Sequence, residues 1–71
     1  MKVRLLGYSS FMSKKGSQCL VVGYAFPDGR WKGLKVEQKF VNPDVVDGIL
    51  KPGEDIEVDF DSSGYIVALH A

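Results

Sequence analysis

Several residue types are scarce in this chain of 71 residues, and each scarcity closes a route. Cys19 is the only cysteine, so no intramolecular disulfide can form. Small secreted domains usually depend on such bridges, so a reducing cytoplasm is the expected setting. His70 is the only histidine, which leaves no Cys/His set of zinc-ligand spacing. No stretch approaches the ~20 apolar residues of a membrane span, so no membrane association is expected. The opening MKVRLLGYSSFM lacks a long apolar core followed by small residues, so no export signal is expected either. No glycine-rich phosphate loop is present. Cys19 sits among apolar residues, with no neighbour in sequence to favour its thiolate. No catalytic constellation can be assembled, so neither enzymatic activity nor a cofactor is expected.

There is also no excess of charge of either sign, but the balance hides a polarity. Residues 1–41 carry eight Lys/Arg against Asp28 and Glu37, a net +6. Residues 42–71 carry Lys51 against seven carboxylates, a net −6. Such asymmetry between halves is a partner signal. The apolar and β-branched content is nonetheless that of an ordinary globular protein of one domain, 1–71.

What the chain has in quantity is alternation. Lys2 to Met12 reads as a strand with Gly7 as a bend, and Ser13–Ser17 as a hairpin loop. Gln18 to Phe26 is a second strand, ended by the turn Pro27-Asp28-Gly29. Leu34 to Val41 alternates. Hydrophobicity turns Leu34, Val36 and Phe40 inward and leaves Lys35, Glu37 and Lys39 in water. Asn42-Pro43-Asp44 has the chemistry of a helix start, and Val45, Val46, Ile49 and Leu50 follow at roughly helical spacing up to Lys51-Pro52-Gly53. Asp55 to Asp61 alternates strictly, and Tyr65 to Leu69 is a final strand after the Ser62-Ser63-Gly64 turn.

The predicted order is therefore β-β-β-α-β-β, in a mainly β protein. It is the order of a five-stranded OB-like barrel, and closure would remove the edges of five short strands. An SH3-like barrel is the alternative. In the OB-like arrangement the fourth strand pairs with the first, which sets Lys2 and Arg4 opposite Glu57 and Asp59. The carboxylate row itself does not make a calcium site. Alternate strand positions lie about 7 Å apart, whereas calcium wants converging oxygens.

If Lys2 and Arg4 are used internally, six cations remain in the first half, with aromatic residues between them. Lys14 and Lys15 occupy the first loop, Arg30 and Lys32 flank Trp31 after the turn, and Lys35 and Lys39 lie on the third strand. Tyr8 and Phe11 precede the first loop, and Tyr24 and Phe26 the second. Cations that track phosphates, combined with aromatic platforms, are what single-stranded nucleic acid requires. Trp31 has two placements: folded back as a cap on the barrel, or standing out as a platform between two phosphate contacts. A protein-interaction module, a homodimer joining basic and acidic faces, is the alternative function.

The chain also resembles a group of small proteins from phages and conjugative elements. The resemblance is carried by Leu5-Leu6-Gly7-Tyr8, Ser13-Lys14-Lys15-Gly16, Pro43-Asp44-Val45-Val46, and Gly53 to Phe60 with Gly64-Tyr65-Ile66-Val67. More distantly it is similar to the helix-destabilising, single-stranded-DNA-binding proteins of filamentous phages. That resemblance implies a small OB-like barrel that acts as a dimer and coats single strands. By matching position, Lys14, Lys15, Tyr24, Arg30 and Trp31 would make the contacts.

Overall fold

The computed structural model describes residues 1–71. Six strands form: β1 Lys2–Met12, β2 Gln18–Pro27, β3 Leu34–Val41, β4 Val46–Asp47, β5 Asp55–Phe60 and β6 Ile66–His70. They make one sheet in the order β3-β2-β1-β5-β6-β4. All pairings are antiparallel except the two-residue β4, which runs parallel to β6. The sheet curls over a single core of Val3, Leu5, Leu20, Val22, Tyr24, Val41, Leu50, Ile56, Val58, Ile66 and Leu69.

The alternation in β1 and β5 works as expected. Val3, Leu5, Ile56 and Val58 are buried, while Lys2, Arg4, Asp55 and Glu57 stay in water. The two strands pair, with Lys2 opposite Glu57 and Arg4 opposite Asp55. Asp55 takes both cations, Lys2 Nζ at 3.7 Å and Arg4 Nε at 3.5 Å. Asp59 instead pairs across to Ala68 on β6.

Three expectations are corrected. The barrel does not have five strands and is not closed, since no hydrogen bond joins β3 to β6 along the remaining seam. The predicted helix is a single 3-10 turn, Pro43–Val45. Asn42 caps it as its side chain predicts, Oδ1 accepting from the Asp44 N–H at 3.0 Å. The β-branched Val46 is nevertheless already extended, at φ −87° and ψ 123°, because it can pair with Leu69 of β6. Gly48, at φ +94°, then turns the chain away from any helix.

The third correction concerns β3, whose two faces are exchanged. Leu34, Val36 and Phe40 point to solvent, and Lys35, Glu37 and Lys39 point to the core side, where they are half-buried. The register explains it. Tyr24 lies opposite Glu37, and Val22 opposite Lys39, so the buried row of β2 shares its face with the charged row of β3. Tyr24 is fully buried, and a buried phenol needs a hydrogen-bond partner. Its hydroxyl donates to Glu37 Oε2 at 2.9 Å. Lys35 closes the row, with Nζ 3.3 Å from Glu37 Oε1 and 6.0 Å from the centre of the Phe26 ring.

Candidate nucleic-acid interface

The two basic loops are built by backbone chemistry at opposite ends of β2. In the first, the Ser17 N–H donates to Ser13 Oγ at 3.1 Å and the Ser13 N–H to the Ser17 carbonyl at 2.8 Å. These bonds hold Lys14 and Lys15 out in solvent, and neither forms an ion pair. In the second, the Asp28 carboxylate accepts from the Arg30 N–H at 3.0 Å, from Nε at 3.3 Å and from Nη2 at 3.2 Å. These hydrogen bonds hold the Asp28 carboxyl below its ordinary range. Arg30 is therefore exposed but partly spoken for, whereas Lys32 is exposed and unpaired. Trp31 anchors its N–H on the Asp28 carbonyl and leaves its side chain out, with the residue 51% exposed. Of its two placements, the structure takes the surface one.

The nine residues expected to form the site do not converge. Ten strand residues separate the loops, about 30 Å at the usual rise. Tyr24 is removed from the surface altogether, since its burial leaves no face for a base to stack on. Lys35 and Lys39 lie on the core-side face rather than the outer one, for the reason of register given above. Tyr8 is exposed but sits in the same row as Val22, beside Leu20, Pro43 and Leu50, on that same inner side. Lys14 and Lys15 stand at one end of the sheet, and Arg30, Trp31 and Lys32 at the other.

The exchange of faces in β3 creates an outer surface that the hydrophobic pattern concealed. Phe40, 69% exposed, meets the exposed Phe11 edge to face, with ring centres 6.0 Å apart and planes at 77°. Both lie toward the Lys14-Lys15 end, because Phe11 pairs with Cys19 and Phe40 with Val21. Tyr65, also exposed, stands in the hairpin between β5 and β6, across a cleft from Gln38, Lys39 and Phe40. Leu34 and Val36 continue the surface toward Arg30, Trp31 and Lys32. No carboxylate projects from the outer face of β2 and β3, since the first 41 residues hold only Asp28, in the turn, and Glu37, turned inward.

Phe40 and Tyr65 were thus not legible as site residues, whereas Phe11 stood in the sequence beside the first basic loop. One signal pointed to Phe40: Gln38 interrupts its row and makes a poor core residue.

The acidic half lies on the far strands. His70 links three of them, with Nδ1 3.5 Å from Asp47 Oδ2 and Nε2 3.5 Å from Asp59 Oδ2. No three His, Cys, Asp or Glu side chains gather as a metal site. No helix is long and apolar enough to cross a membrane.

No protein family, curated protein or solved structure matches this chain.

Proposed function

We propose that this protein binds single-stranded DNA on the outer face of β1–β3, by stacking and phosphate attraction and without chemistry. One observation carries the reading: β3 turns Phe40, Val36 and Leu34 to solvent, on a carboxylate-free face with unpaired lysines at both ends. Phe11 and Phe40 supply the platforms, with Tyr65 across the edge of β3. Lys14 and Lys15 at one end and Lys32 at the other supply phosphate contacts, with Arg30 available once it releases Asp28. The sheet runs β3-β2-β1-β5-β6-β4, and with the two-residue β4 set aside its neighbours follow the sequence of strands that an OB-like barrel would have. That supports an OB-like reading, in which the second and third strands and the first and last hairpin loops form the binding face.

Oligo-dT titrated against intrinsic fluorescence at two salt concentrations tests the proposal. Quenching that weakens as salt rises is expected, because a protein that neutralises phosphates releases counterions. Absence of binding at low salt would overturn it.

The same exposed apolar face favours a second reading, a homodimer buried through it. A mass that doubles with protein concentration in the absence of DNA, together with no oligo-dT binding, would select that reading.

A further inference from the structure

Gly7 of β1 and Gly23 of β2 lie directly opposite one another, on the outer face. Two glycines in facing positions leave the middle of a sheet without side chains and weaken both strands. Conformation does not ask for them. Neither has a positive φ, unlike the turn glycines 16, 33, 48, 53 and 64. Packing does not ask for them either. A Cβ on Gly7 would meet nothing within 4 Å, and one on Gly23 would meet only the Gly7 carbonyl, at an ordinary 3.8 Å. Glycine inside a strand marks a bulge, a bend or close approach by something else; the bulge beside Gly7 bears on that residue, and close approach accounts for the facing pair.

The bare backbone is the floor of a notch of about 340 Å³, lined also by Leu6, Tyr8, Ser9, Val21 and Gln38; the Tyr8 side chain belongs to the inner row with Val22. The bulge between Leu5 and Gly7 opens it. Its floor is flat peptide, two of its walls are aliphatic, and its polar walls are one hydroxyl and one carboxamide. The Gln38 carboxamide has two donors and an acceptor, which is what the edge of a heterocyclic base needs. The notch also continues the aromatic platform. Gln38 precedes Phe40 by two residues on the same face of β3, and Val21 lies opposite Phe40. Two strand residues span about 6.8 Å, wider than the ~3.4 Å between stacked neighbours in one strand of a duplex. Bases seated at Phe40 and in the notch would therefore be unstacked from each other.

The geometry points to the Gly7–Gly23 notch as a seat for one unstacked nucleobase, laid flat on the glycine backbone with its polar edge toward Gln38. The inference rests on the nucleic-acid reading of this face and adds to it a defined base position on bare backbone.

Gly7→Val fills the notch with a good strand former, and Gly23→Ala fills it partly at an ordinary contact distance. Both variants and the parent are titrated with oligo-dT and with an abasic strand of equal length, after amide NMR spectra establish that each variant is folded. Where Gly7→Val does not fold, Gly23→Ala carries the comparison. A base contact of stacking strength predicts oligo-dT binding weakened by about five- to hundred-fold in Gly7→Val, and less in Gly23→Ala. Abasic binding should be unchanged by either substitution. Folded variants that bind oligo-dT as tightly as the parent would overturn the notch, making the glycines a bend in the sheet, and would leave the nucleic-acid reading standing. If the parent itself binds no oligo-dT, that reading fails, and the notch is decided by thymidine alone. Amide shifts confined to Gly7, Gly23 and Gln38 would keep it, and no shifts would end it.

Discussion

Replacing Tyr24 by phenylalanine deletes one hydroxyl from the core and takes from Glu37 its donor at 2.9 Å. A hydrogen bond to a charged group contributes about 1.5–3 kcal/mol. Glu37 keeps Lys35 at 3.3 Å, and its side chain is 29% exposed, so water and the lysine replace part of the loss. The lower part of the range, about 1.5–2 kcal/mol, is therefore expected. For a domain of this size 1 kcal/mol moves Tm by about 4–8 °C, so Tm should fall by about 6–16 °C.

The dependence on pH is more diagnostic than the size. Burial alone would raise the Glu37 carboxyl, but the Tyr24 hydroxyl, the hydrogen bond from Lys35 and the charges of Lys35 and Lys39 outweigh it and hold it below its ordinary 4.5. A depressed carboxyl stabilises the fold above its unfolded value, and that stability is lost as pH falls through the folded one. Burial raises the Tyr24 phenol well above its ordinary 10.0, with the hydrogen bond to Glu37 and its charge adding to the effect. That stability is present below pH 10 and is lost as pH rises beyond it. The gap between parent and Tyr24→Phe should thus be a plateau between about pH 4.5 and 10, narrowing at both ends. Thermal unfolding followed by circular dichroism across this range measures it. A gap that does not change with pH, or no gap, would refute the claim that this bond holds the charged row of β3 inward.

Phe40→Ala should leave stability within about 0.5 kcal/mol of the parent, because the ring is mostly in solvent. The same change should weaken oligo-dT binding by about 1–3 kcal/mol, the usual worth of one stacked base, as read by titration. Replacing Lys14 and Lys15 together by alanine should lower the slope of log K against log salt by about 1.4, two phosphates at ~0.7 each, in titrations at several salt concentrations. Leu5→Ala, at a fully buried position on the central strand, should cost about 2–5 kcal/mol in urea denaturation and leave little margin in so small a domain.

The strands were legible because period-two alternation and turn residues are local signals. The pairing of β1 with β5 was legible too, since Lys2 and Arg4 match the parity of the carboxylate row. The partner of Arg4 was not. It is Asp55 rather than Asp59, because parity fixes the row and the hydrogen-bond register fixes the position within it. The helix was misread for a related reason. Asn42 and Pro43 start a turn of either kind, and only the availability of Leu69 as a partner makes Val46 extend. In β3 the alternation was correct and its polarity was not. Hydrophobicity assigned the apolar row to the core, whereas the phenol of Tyr24, on a neighbouring strand, required the acid of the other row. That exchange hid Phe40 as a surface residue and placed Lys35 and Lys39 on the wrong side.

The position of β1 between β2 and β5 also sets a timetable. On the ribosome β1, β2 and β3 emerge in succession and can pair as a meander at once. Val3 must wait for Ile56, its other neighbour, until most of the chain has been made. Until then the nascent meander shows water the inner side of Val3, Leu5, Leu20 and Val22 as well as its permanently exposed outer face. Pairings this distant in sequence make folding slow, and a half-made sheet with two apolar sides invites association with its neighbours. The later strands, carrying most of the carboxylates, therefore close the core and in the same step bring the acidic half alongside the basic one, so that the finished fold carries no net charge.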